Sequence, residues 1–176
     1  MRIEAVLGDI TAQHVDVVVN AANSSLLGGG GVDGAIHAAA GPELLAACRE
    51  LRRTQLPDGL PPGYAVATDA FALPARWVVH TVGPNWHAGE RDNPMLVACF
   101  LSSLEVAVGL GARSIAFPAI SAGVYGWDPH VVAQCAVGAV RTWASGTAQD
   151  DGGIELVRFV LFSPALLAEF EAALAH

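Results

Sequence analysis

Six short runs rich in β-branched and aromatic residues punctuate this chain, and helix-period segments lie between several of them. The strand-like runs are RIEAVL (2–7), VDVVVN (15–20), YAVATDA (64–70), WVVHTVG (77–83), SIAFPAI (114–120) and LVRFVLF (156–162). The helical ones are GAIHAAAGPELLAACREL (34–51), NPMLVACFLSSLEVAVGLG (93–111), PHVVAQCAVGAVRTWA (129–144) and SPALLAEFEAALAH (163–176). Such alternation commits the chain to a layered α/β sheet. VVVN and FVLF are apolar on both faces, which requires inner strands covered by helices on both sides. RRTQLPDGLPPG (52–63) reads as a polar, proline-rich loop and AQDDGG (148–153) as an acidic turn; neither is long enough to link two domains. With 176 residues, 53% hydrophobic and 15% charged, one domain spanning 1–176 is expected.

Charge excludes more than it specifies. The chain has 9 basic and 17 acidic residues, a net charge of −8, and all its basic residues are arginine. That balance disfavours nucleic acid and anionic membranes as partners. A small anion remains possible, because backbone N–H groups and a helix N-terminus hold one without lysine. Cys48, Cys99 and Cys135 are odd in number, far apart and set in apolar helical context, so they read as buried thiols of a reducing compartment. No C-x-x-C, H-x-x-x-H or H-E-x-x-H spacing joins them to the histidines, so no metal site is expected. The opening MRIEAVLGDI runs straight into a strand without a leader pattern, and no apolar run reaches membrane-spanning length. A cytoplasmic monomer is the simplest expectation.

The most unusual stretch is NAANSSLLGGGGVDGAIHAAAG (20–41). It leaves the carboxyl end of a buried strand, where open α/β sheets place their ligands. Four consecutive glycines, Gly28 to Gly31, let the backbone approach a ligand and turn N–H groups toward an anion. The helix that follows adds its positive end, so a phosphate or diphosphate suits the loop. The order of the glycines is not G-x-G-x-x-G, and a Walker loop is impossible without lysine. A second loop, FPAISAGVYGWDP (117–129), offers backbone donors around Ser121 and Gly123 and the ring of Tyr125 for a sugar. Two such loops on one sheet edge can clamp a diphosphate.

Polar residues beside these loops leave alternatives open. Asn20 ends a strand, where it either braces the loop or touches a ligand; Asn23, nearer the glycines, suits ribose hydroxyls. Asp33 either caps the helix or holds a water against a sugar carbon. His37, one helical turn on, faces Asp33 as a structural or a catalytic histidine. Asp9, in GDIT, either caps a short helix from Thr11 or accepts from a purine amino group.

GDIT (8–11), NAANSSLLGGGGVDGAIHAAAG, LPARWVVHTVGP (73–84) and PAISAGVYG (118–126) together resemble a macrodomain of the MacroD type, over nearly the whole chain. The resemblance implies a three-layer α/β/α sandwich with a mixed central sheet that binds ADP-ribose. It further implies a hydrolase that frees mono-ADP-ribose from aspartate and glutamate side chains and deacetylates O-acetyl-ADP-ribose, with no cofactor. Carried over, Asp9 would meet the adenine amino group with the Ile10 backbone beside it, and Phe162 would lie against the ring. Asn20 belongs to the same motif, and Asn23 would meet the distal ribose. Gly30, Gly31 and Val32 would embrace the diphosphate from one side, and Ser121, Ala122, Gly123, Val124 and Tyr125 from the other. Asp33 would sit at the scissile ester as general base, or orient a water that a ligand phosphate activates; His37 would support it. Ala122 replaces a more usual threonine, and WDP follows the loop in place of a shorter ending, which affects lid shape more than backbone donors. The cysteines lack the arrangement of zinc-bearing macrodomains. Rival functions are a reader that binds without turnover, an ADP-ribose-1″-phosphate phosphatase and a purine-polymer binder, the last disfavoured by charge.

Overall fold

The computed structural model describes residues 1–146 and 153–176, so all but the last residue of the expected acidic turn at 148–153 lies outside the described residues. In chain order the elements are β1 (Arg2–Leu7), β2 (Val15–Ala22), α1 (Gly31–Ala40), α2 (Pro42–Thr54), β3 (Ala65–Asp69), β4 (Ala75–Val82), α3 (Asn93–Gly109), β5 (Ser114–Phe117), α4 (Pro129–Gly146), β6 (Leu156–Leu161) and α5 (Pro164–Ala175). The strands form one mixed sheet in the order β1-β6-β5-β2-β4-β3, parallel except for β3, which runs antiparallel to β4. Helices α3, α4 and α5 cover one face and α1 and α2 the other, which makes the three-layer α/β/α sandwich expected from the sequence.

The inner strands serve both layers because their side chains alternate. Ile115 and Phe117 of β5 enter the larger core with Phe100 and Phe159, while Ala116 joins Ile36 and Leu44 on the other side. Val17, Val18 and Val19 are all fully buried, as the apolar run VVV predicts for a strand covered twice. Among the described residues no helix is long and apolar enough to cross a membrane.

The structure corrects three expectations. The helical segment 34–51 is two helices, because Gly41 takes φ +87° between α1 and α2 and Pro42 opens the second. Residues 52–54 of the expected loop finish α2. Cys135 is half-buried, whereas Cys48 and Cys99 are buried.

Candidate functional site

Since β1, β6, β5, β2 and β4 are parallel, the loops leaving their carboxyl ends share one edge of the sheet. That edge gathers the residues singled out in sequence: Asp9 and Ile10 after β1, Phe162 after β6, residues 121–125 after β5, and Asn23 with the glycine run after β2. Register brings together opposite ends of the chain, for Leu7 pairs with Leu161 and the Gly8 N–H donates to Leu161 O at 2.9 Å. Asp9 and Phe162 are therefore neighbours. From β1 to β2 the row spans three strand spacings, about 14 Å, which suits an elongated ligand better than a compact one.

Within the glycine loop, Asn23 donates from Nδ2 to Gly28 O at 2.9 Å and accepts at Oδ1 from Ser25, closing residues 23–28 into a tight turn. Gly30 is the N-cap of α1 and makes no side-chain capping bond, so the helix end is left to other partners. Among the described residues, none of the N–H groups of residues 28–33 makes a hydrogen bond, and Gly30, Gly31 and Val32 present theirs at the positive end of α1. Gly34 is needed for close approach: a Cβ there would lie 2.7 Å from Gly29 O.

Asp33, in the first turn of α1, is 4% exposed and is not the cap. Its Oδ1 accepts from Asn20 Nδ2 at 2.8 Å and lies 3.3 Å from His37 Nε2. Asp33 Oδ2 faces Gly29 and accepts nothing among the described residues. Among the described residues, the sealed side-chain polar atoms without a partner are Asn20 Oδ1, Ser121 Oγ and Trp127 Nε1. Asp33 Oδ2 is not among them, so it keeps contact with solvent. Asn20 is fully buried, and this corrects its expected place among ligand contacts: it is the brace beneath Asp33.

The β5–α4 loop turns over with Ser121 at φ +69°. The Ala122 N–H is used internally, toward Ala119 O at 3.1 Å, while those of Ser121, Gly123, Val124 and Tyr125 make no bond among the described residues. Val124 is 83% exposed. The phenol of Tyr125 has its pKa raised, first by burial and then by the negative charges of Glu90 and Asp33. At the far end of the row, Asp9 Oδ1 caps the short 3-10 turn Ile10–Ala12 by accepting from Thr11 N at 2.8 Å and Thr11 Oγ1 at 2.7 Å. Those two bonds, hydroxyl first, lower its pKa. Phe162 stands 79% exposed.

A family model for the macro domain matches residues 19–136. The chain belongs to the macrodomain family. A macro domain-containing protein of Streptomyces griseus is 56% identical over 173 residues, covering 98% of this chain and 94% of that protein. A Klebsiella pneumoniae protein named O-acetyl-ADP-ribose deacetylase is 50% identical over 173 residues, with 98% and 95% covered. Among solved structures, a variant of the Oceanobacillus iheyensis macrodomain with ADPR is 43% identical, covers 98% of this chain and 90% of its own, and superposes with a TM-score of 0.89.

Several braces of this macrodomain's edge were not singled out in its sequence. Arg52 donates to Leu56 O, Ser25 O and Pro57 O at 2.8–3.1 Å, so the proline-rich stretch after α2 props the glycine loop from behind. Gly83, at the end of β4, packs so closely on the second loop that a Cβ would overlap Ser121 Oγ. The β4–α3 loop closes over the same segment: the Trp86 N–H donates to Tyr125 O at 2.9 Å, the His87 ring covers Gly126, and Trp86 meets Trp127 edge-on. A cavity of about 450 Å³ flanks the glycine loop, lined in part by Leu27, Gly29, His37 and Leu45. A second, of about 610 Å³, lies under Trp86 and Trp127. Among the described residues no three His, Cys, Asp or Glu side chains are grouped to hold a metal ion. Burial pushes the Cys48 and Cys99 thiols up to about 11, which makes them poor nucleophiles.

Proposed function

We propose that residues 1–176 form a single macrodomain that binds ADP-ribose and hydrolyses ester bonds to its distal ribose. Its substrates are O-acetyl-ADP-ribose and proteins carrying mono-ADP-ribose on aspartate or glutamate, and it works as a monomer in a reducing, cytoplasmic setting. One observation carries the reading. Asp33 sits at the mouth of the glycine loop with one carboxylate oxygen tied down by Asn20 and His37 and the other left open beside Gly29. The name of the Klebsiella relative and the ADPR in the Oceanobacillus structure support the same ligand class.

On this reading the adenine lies at Asp9, Ile10 and Phe162, and the diphosphate spans Gly30, Gly31 and Val32 opposite residues 121–125. The row of unpaired N–H groups supplies neutral donors, which suits a chain whose nine basic residues are all arginine. Asn23 keeps one amide hydrogen beyond its bond to Gly28, and that hydrogen meets a hydroxyl of the distal ribose. For a protein carboxylate ester, a water held at Asp33 Oδ2 adds its oxygen to C1″ of the distal ribose. The ester C–O bond breaks, the carboxylate departs with the bonding electrons, and Asp33 takes the water's proton. The Asp33 carboxylate is oriented by Asn20 and His37 before substrate arrives, so little reorganisation is needed.

Calorimetric titration with ADP-ribose, followed by single-turnover assays on O-acetyl-ADP-ribose and a glutamate-modified protein, tests this. Binding and release from both are expected, with arginine-linked ADP-ribose left intact, because a guanidine leaves poorly without a general acid. Binding without release would leave a reader; phosphate release from ADP-ribose-1″-phosphate in place of ester hydrolysis would make it a phosphatase.

A further inference from the structure

Behind Asp33 a chain of buried polar groups runs away from the site into the sheet. A carboxylate oxygen only accepts, so the Asn20 atom 2.8 Å from Asp33 Oδ1 is the amide nitrogen. The same nitrogen lies 3.1 Å from Nδ1 of His80, the residue paired with Asn20 across β2 and β4. An amide nitrogen has two hydrogens and nothing to accept with; it gives one to each, and His80 Nδ1 must offer its lone pair. The ring proton then belongs on Nε2, 3.0 Å from Thr68 Oγ1 of β3, with Cys48 Sγ of α2 at 3.9 Å. His80 is fully buried, and burial with the nearby His37 holds its pKa down to about 3, so the ring is neutral at working pH. The facing groups are Asn20 from β2, Thr68 from β3, Asp33 and His37 from α1 and the protonated thiol of Cys48 from α2. Val19 and Val79 beside the pair are fully buried, so valine would serve stability at positions 20 and 80 without any polar partner to satisfy.

We propose that His80 is a positioning residue. Locked as the neutral Nε2–H tautomer, it fixes Asn20; Asn20 and His37 then occupy Asp33 Oδ1, which makes Oδ2 the oxygen that meets the water. This rests on the hydrolase reading above and names the atom at work in it.

Two variants of similar polarity separate a relay from packing. In His80→Asn the amide oxygen stands about where Nδ1 stood and can accept from Asn20. His80→Gln fills more of the space but reaches toward Thr68 and leaves the second Asn20 hydrogen unpaired. Packing alone ranks Gln above Asn, and the relay ranks Asn above Gln. Single-turnover hydrolysis of O-acetyl-ADP-ribose should be roughly 10–100-fold slower in His80→Gln and only a few-fold slower in His80→Asn, the former being the usual cost of losing an orienting partner. ADP-ribose affinity should stay within about threefold in both. In the native protein, ¹⁵N NMR should show Nδ1 unprotonated and Nε2 protonated from about pH 5 to 8. Thr68→Val, similar in shape, should lower turnover several-fold at unchanged affinity. A ranking of Gln at or above Asn, a protonated Nδ1, or unchanged turnover in Thr68→Val overturns the proposal, and the last two measurements decide it even if neither His80 variant folds. A native protein that binds ADP-ribose but hydrolyses no ester would instead sink the hydrolase reading, with the tautomer still measurable.

Discussion

The two ends of the parallel edge are built in opposite ways. Around Asp33 the polar groups are tied through Asn20 and His80 into the middle of the sheet, and Asp33 is 4% exposed with its Oδ2 left open. At the other end Asp9 is held by one local turn, and Phe162, brought beside it by the β1–β6 pairing, is 79% exposed. A site that places a water must lose its freedom before substrate arrives, and burial with several bonds achieves that. A surface that stacks on a flat ring needs only an open aromatic face. On the proposed reading, reaction belongs to the buried end and recognition to the open one.

Asp33→Asn tests that division with the largest expected effect. It keeps an oxygen for Asn20 and His37 but removes the base, so single-turnover hydrolysis should fall by roughly 10²–10⁴-fold with ADP-ribose affinity within about tenfold. Asp33→Ala should slow hydrolysis as much and also destabilise, since it strands the buried Asn20 amide at a cost of about 1–3 kcal/mol. A near-native rate per folded molecule in Asp33→Asn would move the chemistry elsewhere.

Gly83→Ala acts between the two ends. The added methyl overlaps Ser121 Oγ and crowds Ile120, so the variant should lose about 1–3 kcal/mol by denaturant unfolding, as overpacked sites do. Ser121 Oγ is sealed without a partner, so Ser121→Ala alone should be nearly neutral and should recover part of the loss in the double variant. Strict additivity of the two would mean that the loop and β4 are not in register as described.

Phe162→Ala should do the reverse of Asp33→Asn. Removing an exposed ring leaves stability within about 0.5 kcal/mol. Losing a base-stacking surface costs about 1–3 kcal/mol of affinity, or roughly 5–150-fold in Kd, with the rate at saturation unchanged. Unchanged affinity would place the adenine away from β6.

The same contrast explains what could be read without coordinates. The Asp9 turn is local in sequence: Asp9 caps Thr11 two residues on, and GDIT announces it. The inner strands and the glycine loop are local too, as runs of valine and glycine. What escaped depends on partners far along the chain. His80 meets Asn20 only through the β2–β4 register, Gly83 matters only because Ser121 packs on it, and Arg52 props Ser25 from the end of another helix. The break at Gly41 was written in the Gly-Pro pair, but continuous helical periodicity on both sides obscured it. Asn20 was legible as polar; that β2 runs past it to Ala22 and that it faces inward could not be read before β4 was laid beside it.

The smallest expected effect belongs to Thr11→Val, which removes the hydroxyl that contributes most to lowering the Asp9 pKa and leaves the backbone bond. Because the folded pKa lies below the unfolded value, the stability Asp9 contributes is complete above the ordinary carboxylate range and is lost as pH falls through the folded pKa. In Thr11→Val that folded value should move up toward the ordinary carboxylate value, and the melting temperature at neutral pH should drop by no more than a few degrees. Below both pKa values the carboxyl is neutral in each protein, so the gap between native and variant should close as acid is added. Asp33 is held by a separate set of bonds, from Asn20 and His37, so the hydrolysis rate at saturation should not change. A rate that fell with the Asp9 pKa would join the two ends into one unit and remove the division between them.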